Sequence, residues 1–192
     1  MKSQVRKPFL LGLVKGDLPA ECFQYWLRVD YPYLHNFVKV CALGMVKANS
    51  SEDVDVMLHH VQSVKEEMSD HEKHAKELGM SREDLLSYPM GPLKYSYTRH
   101  QLASAYQGSL GDTQAAILAC QWGYGEAVRR LLGEHTLQDN NPYVEWWKFH
   151  SDPGHREGLD KALDLLDRQA AKSTDHQKQI MSDIFMISVQ HE

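Results

Sequence analysis

Two residues whose side chains can do chemistry stand where a helical core should be apolar. Asp30 lies three and four residues from Leu27, Trp26 and Leu34, on the face that Phe23 and Phe37 also occupy. A carboxylate in that position needs a partner, because burying an uncompensated polar group costs on the order of 2 to 7 kcal/mol. Either a hydrogen bond to a tyrosine across the bundle satisfies it, or it faces a ligand. Cys120 and Tyr124 are one helical turn apart, in line with Ile117, Val128 and Leu131. A buried cysteine alone is most simply a small core residue. Its neighbours argue for more: Gly123 and Gly125 are poor helix formers, which implies that something approaches this backbone closely, and Trp122 and Tyr124 supply a flat wall and a phenol. The run Tyr95-Ser96-Tyr97-Thr98-Arg99-His100 adds phenols and a possible base. Aromatic and apolar walls with a few convergent polar groups are what a pocket for a flat heterocycle requires.

Eleven histidines raise the question of a metal. Glu67, His71 and His74 follow one another at helical spacing and could share a face as ligands. The surrounding Lys65-Glu66-Glu67, Asp70-His71-Glu72-Lys73 and Lys76-Glu77 read instead as a solvated face laced with i, i+4 ion pairs, and that reading is preferred. His59 and His60 are adjacent, so on a helix they point about 100° apart and are not expected to reach one site.

The elements that must position these residues are all helical. No stretch alternates apolar and polar residues over a strand's length, whereas a 3.6-residue period recurs throughout. Asp17-Leu18-Pro19 reads as a cap opening a helix to about Ala48, with a kink expected at Pro32. Ser50-Ser51-Glu52-Asp53 starts a second that ends at Gly79, a C-cap glycine. Ser81 to Asp84 is a short capped turn, and Leu93 to Tyr106 is a helix. Gly108 to Gly111 is a turn, after which Asp112 caps an apolar helix to Leu132. A short aromatic helix follows around Tyr143 to Phe149, and Ser151-Asp152-Pro153-Gly154 breaks it. Leu159, Leu163, Leu166 and Ala170 mark the next helix, and Thr174-Asp175 begins the last, through His191. Seven or so helices with short connections predict one orthogonal or up-down bundle.

The chain of 192 residues carries 26 acidic against 21 basic residues, a formal charge of -5 that is the wrong sign for neutralising phosphate backbones, so nucleic acid is not an expected partner. No apolar run approaches the roughly 20 residues of a membrane span. The N-terminal apolar patch, Phe9 to Val14, is too short for a secretory signal and lacks a cleavage site, and is read as helix. Cys22, Cys41 and Cys120, odd in number and widely spaced, fit neither a disulfide framework nor a metal clip, which points to a reducing compartment.

Three segments carry a resemblance. Asp30-Tyr31-Pro32-Tyr33-Leu34, Tyr95-Ser96-Tyr97-Thr98 and above all Ala119-Cys120-Gln121-Trp122-Gly123-Tyr124 resemble the internal motifs of the TenA family, thiaminase II. The resemblance runs in order from Lys7-Pro8-Phe9 to the Ile184-Phe185 helix and is to the cysteine-containing branch. It implies an all-α, heme-oxygenase-like multi-helix bundle, with residues 1–192 as a single helical domain shortened at both ends relative to the family. It further implies a hydrolase that releases hydroxymethylpyrimidine from aminomethyl-pyrimidine breakdown products of thiamin, and from thiamin itself, in thiamin salvage. Cys120 would be the nucleophile, Glu192 the acid and base, and Asp30 the partner of the pyrimidine amino group and ring nitrogen; Tyr33, Tyr97 and Tyr124 would line the pocket. Phe185 and Ser188 share the face of Glu192, consistent with an inward side chain. His150 stands where family members usually have a tyrosine, and is expected against the substrate. The implied setting is a cytoplasmic homo-oligomer, usually a tetramer, acting on a small pyrimidine with no cofactor, no metal and no membrane.

Two alternatives stay open at this stage. One is a metal-dependent oxidase or oxygenase of the same fold, with ligands drawn from Glu67, His71, His74, His150 and His176. The other is a pyrimidine-binding regulatory module without turnover.

Overall fold

The structure, a computed structural model, describes residues 6–192. The N-terminal patch read as helix, Phe9 to Val14, lies within the first helix. Nine helices follow among the described residues, and no strand: α1 (Pro8–Lys15), α2 (Ala20–Lys47), α3 (Ser51–Glu77), α4 (Arg82–Ser87), α5 (Gly91–Gln107), α6 (Leu110–Glu134), α7 (Val144–His150), α8 (Pro153–Ala171) and α9 (Asp175–His191). The all-α expectation holds. None of these helices is long and apolar enough to cross a membrane.

The helix ends correct several sequence expectations in the same way. Asp17 caps nothing: α2 starts at Ala20 behind Pro19, without a side-chain cap. Asp112 is not a cap either. Ser109 accepts from the Asp112 N–H while the Asp112 carboxylate accepts from the Ser109 N–H, a capping box that moves the start of α6 back to Leu110 and absorbs the expected turn. Ser81 and Asp84 form another such box, which opens a helix, α4, where only a turn was expected. Pro153 begins α8 as its first residue, with Asp152 accepting from the Gly154 N–H, so this segment starts a helix as well as ending one. Gly79 sits just past the α3 cap residue Leu78 with φ +74°, the left-handed conformation that glycine accepts most readily. Helix α2 runs through Pro32 unbroken as an assigned helix.

Helices α2 and α6 are the central pair. The largest apolar cluster joins Leu27, Tyr33, Phe37 and Cys41 of α2 to Met57 and Val64 of α3, Tyr97 of α5 and Ile117 of α6. Leu13 and Val14 of α1 meet Val128 and Leu131 of α6 and Trp146 and Trp147 of α7 in a second, and Leu118, Leu159 and Ala162 join α6 to α8 in a third. Of the other cysteines, Cys41 is buried and Cys22 exposed on the same helix, and neither faces the site.

Candidate active site

Asp30 is 3% exposed, and its partners are not tyrosines. Lys94 Nζ of α5 donates to Oδ1 at 3.1 Å, and His71 Nε2 of α3 lies 3.3 Å from Oδ2. Burial alone would raise the Asp30 pKa; Lys94 and His71 outweigh it and hold the carboxyl at about 2. The His71 ring donates Nδ1–H to the Glu67 carbonyl at 2.9 Å, which aims Nε2 at Asp30. Burial opposes its protonation, but Asp30 wins and raises the pKa. Lys94 is likewise disfavoured by burial and pushed up to about 12 by Asp30, Glu192 and Cys120. In place of a hydrogen bond to a tyrosine, Asp30 belongs to a charged triplet with Lys94 and His71.

His71 also corrects the picture of α3 as a solvated, self-paired face. It is 4% exposed, and no ion pair within α3 forms among the described residues. Glu67 points to His150 of α7, with Oε1 3.7 Å from Nε2. His74 is half-buried against Phe23 and donates to the Asp70 carbonyl, and His176 is exposed in the first turn of α9, so neither joins the cluster. Asp30, Glu67 and His71 offer ligand atoms within 4.8 Å of one another. The Lys94 ammonium 3.1 Å from Asp30 opposes a second cation there.

On the α6 side, Cys120 borders the same space. Burial and the nearby Glu192 carboxylate push its thiol well above the usual range, and the Tyr33 phenol pulls it back. Gln101 Nε2 donates to the Tyr33 hydroxyl at 3.1 Å and to the Ala116 carbonyl at 3.3 Å, which fixes that phenol against α6. Tyr33 and Tyr97 stack at 5.4 Å, and Tyr97 stacks on His191 at 5.3 Å. That stack brings the last turn of α9 over the site. Glu192 is exposed as a residue, yet its carboxyl interacts with Tyr97, Cys120, Lys94 and Asp30; removal from water raises its pKa against the pull of Lys94. Ser188 is fully buried, donating to the Ala116 carbonyl at 2.9 Å, and Phe185 packs on Trp122, so the expected inward face of α9 is present.

Trp26 Nε1 donates to the Tyr124 hydroxyl at 3.2 Å, which closes the third side. His150 stacks on Trp146 at 4.1 Å and on Tyr124 at 5.3 Å, with Nδ1 donating to the Trp146 carbonyl. A cavity of about 440 Å³ opens between these walls, lined by Asp30, Tyr33, Glu67, Cys120, Tyr124 and His150 among others. It continues past Gly125 to His59 and His60, which both border it despite their adjacent positions, because the cavity wraps along α3. No side chain approaches Gly123 within 4 Å of where a Cβ would sit, and only Leu159 does so at Gly125. What approaches this backbone is open space, not protein.

Sequence reasoning thus brought Asp30, Tyr33, Tyr97, Cys120, Tyr124, His150 and Glu192 to one place, and missed Lys94, Gln101 and the inward role of His71. It placed Tyr95 and His100 too near. Tyr95 is exposed under Arg99, and His100 turns to α9, where Nε2 donates to the Ile184 carbonyl. The one-turn spacing of Lys94 to Thr98 and Asp30 to Leu34 could have paired the two charges only with the crossing of α2 and α5 in hand.

The fold and this geometry have counterparts. Residues 2–192 match the TENA/THI-4/PQQC family. The chain belongs to that family. It is 32% identical to the aminopyrimidine aminohydrolase of Halalkalibacterium halodurans over 93% of this chain and 80% of that protein. It is 31% identical to the enzyme of the same name from Bacillus subtilis over 96% of this chain and 78% of that protein. A solved TenA family transcription regulator from Silicibacter superposes with a TM-score of 0.88 at 26% identity, covering 99% of this chain and 86% of that one.

Proposed function

We propose that this family member is an aminopyrimidine aminohydrolase that converts an aminomethyl-substituted 4-aminopyrimidine to the hydroxymethyl product in thiamin salvage, with thiamin itself as a second substrate. The observation that carries the reading is that Cys120, Asp30, Tyr33 and Tyr124 border one cavity while the Glu192 carboxyl interacts with the Cys120 thiol. The names of the relatives at 32% and 31% identity support it.

Direct displacement at the methylene is hard, and covalent catalysis offers a lower path. Burial and the Glu192 carboxylate make the Cys120 thiol resist ionisation, so its proton must pass to that carboxylate when substrate binds. The thiolate adds to the ring carbon beside the one bearing the aminomethyl arm. The ring electrons then expel the arm's amine, which takes the proton from Glu192 and leaves as ammonia, and an exocyclic methylene remains. Water adds to that methylene carbon while the Glu192 carboxylate takes its proton, and the returning electrons break the C–S bond. The raised pKa of Glu192 suits a group that must give and take a proton in turn. Asp30 accepts from the 4-amino group, Tyr33 and Tyr124 bound the ring, and Tyr97 and His150 back the two walls. The reading includes a homotetramer and a cytoplasmic location, in line with the reducing environment that a working thiol needs.

Incubation of the purified protein with 4-amino-5-aminomethyl-2-methylpyrimidine should release one ammonia per hydroxymethyl product. Cys120→Ser should abolish turnover while still binding the product. Tight product binding by the parent protein with no ammonia release would make it a binding module instead, and unchanged turnover in Cys120→Ser would remove the covalent route.

A further inference from the structure

Lys94 donates to Asp30, and the family resemblance did not bring it forward. Its side chain is 20% exposed, with the ammonium 3.1 Å from Asp30 Oδ1 and 4.2 Å from the centre of the Tyr33 ring. That places it against two residues that line the cavity, Asp30 and Tyr33, beside the carboxylate meant to read the ring's edge. The edge of a 4-aminopyrimidine presents an amino N–H donor next to a ring nitrogen. A carboxylate alone can hold both only if the ring nitrogen is protonated, because an unprotonated lone pair facing a carboxylate oxygen is repelled. Here the carboxylate is not alone. An ammonium donor stands next to it, so donor and acceptor match the edge of the neutral ring as it is.

We propose that Lys94 donates to the unprotonated ring nitrogen while Asp30 accepts from the adjacent amino group, so that Lys94, not a ring proton, supplies the positive charge that draws electrons into the ring. This rests on the aminopyrimidine reading above. Lys94 is then a catalytic residue, since it touches the substrate. It polarises the ring for addition of the Cys120 thiolate in the manner of a fixed electrophile, at no cost in proton transfer. It also sets specificity: a ring already carrying a proton at that nitrogen meets a like charge and binds less well.

The charged and titratable groups that face Lys94 come from every packed element: Asp30 and Tyr33 of α2, Tyr97 of its own helix, Cys120 of α6 and Glu192 beyond α9, with His71 and Glu67 of α3 behind Asp30. Lys94 stays charged among them because the carboxylates outweigh its burial.

The test uses the unreactive product, 4-amino-5-hydroxymethyl-2-methylpyrimidine, whose ultraviolet spectrum distinguishes the neutral from the protonated ring. Bound to the parent protein, its protonation midpoint should fall by about one pH unit or more relative to free ligand. In Lys94→Met it should rise by a similar amount, because Asp30 then recruits a protonated ring, and Lys94→Arg should keep the parent behaviour. An upward shift in the parent protein, or the same shift in parent and Lys94→Met, overturns the proposal. Should Lys94→Met not fold, the sign of the parent shift and its retention in Lys94→Arg decide the matter. Failure of the parent protein to bind the pyrimidine at all is a different result, and it removes the aminohydrolase reading along with this one.

Discussion

Asp30 is the residue on which both stability and binding turn. It carries Lys94 on one oxygen and His71 on the other, so replacing it leaves two buried cationic groups without their anion. Breaking one partner out of a buried ion pair costs about 3 to 5 kcal/mol. Asp30→Ala is therefore expected to lower stability by that order in chemical denaturation and to lose product binding. In Asp30→Ala combined with Lys94→Met, part of the stability should return and none of the binding. A double variant no more stable than Asp30→Ala alone would mean the pair is not the source of the cost. The apolar stripe around Asp30 made a partnered carboxylate legible from the sequence. The partner was not, because Lys94 is 64 residues away and its pairing depends on how α5 crosses α2.

At the scale of the helices, two glycines separate packing from propensity. A Cβ on Gly44 of α2 would stand 2.6 Å from Met57 Sδ of α3 and 3.3 Å from a methyl carbon of Thr113 of α6, and both of those side chains are fully buried. Gly44 is where three helices meet. Gly123 of α6 has no side chain within 4 Å of its Cβ position. Replacing glycine by alanine in a helix interior is worth about 0.5 to 1 kcal/mol by propensity alone. Overpacking a core costs typically about 1 to 3 kcal/mol. Gly44→Ala should accordingly destabilise by roughly 1 kcal/mol or more, whereas Gly123→Ala should stabilise by up to about 1 kcal/mol in urea titrations. Equal effects at the two positions would refute the assignment of Gly44 to a tight crossing. These two sites also show what a sequence can convey about elements. Existence, order and approximate length of the helices other than α4 followed from the 3.6-residue period. The start of α6 did not, because its capping box places the cap at Ser109 and not at the acidic residue three places on. Gly123 and Gly125 drew notice as misfits, but only the packed structure distinguishes a glycine against protein from one against empty space.

At the scale of the whole molecule, the buried imidazole of His60 gives folding a specific acid dependence. His60 is 1% exposed, with Nδ1 accepting from Gln121 Nε2 at 2.7 Å and Nε2 donating to Gln114 Oε1 at 3.3 Å, a neutral ring held between amides of α6. Burial holds its pKa down at about 4 from the ordinary 6.5. Between those values the unfolded chain takes up a proton that the folded chain refuses, so stability is full above pH 6.5 and declines as pH falls towards 4. The loss is on the order of 3 kcal/mol across that window and levels off below it. The Asp30 contribution, with its pKa depressed from 3.8 to about 2, begins to fail only as pH drops below about 4, so the two are separable. His71, raised in the folded state, works with the opposite sign: its contribution is present below pH 6.5 and is lost as pH rises through its folded value, so it does not produce the acid decline. Guanidinium titrations at pH 7 and pH 4.5 should show this decline in the parent protein and a much flatter one in His60→Gln, whose amide can hydrogen-bond to Gln114 and Gln121 without taking a proton. His100 and His155 are shifted in the same direction while less buried, so a residual slope is expected to survive the substitution. A slope in His60→Gln as steep as in the parent would place the acid sensitivity elsewhere in the bundle.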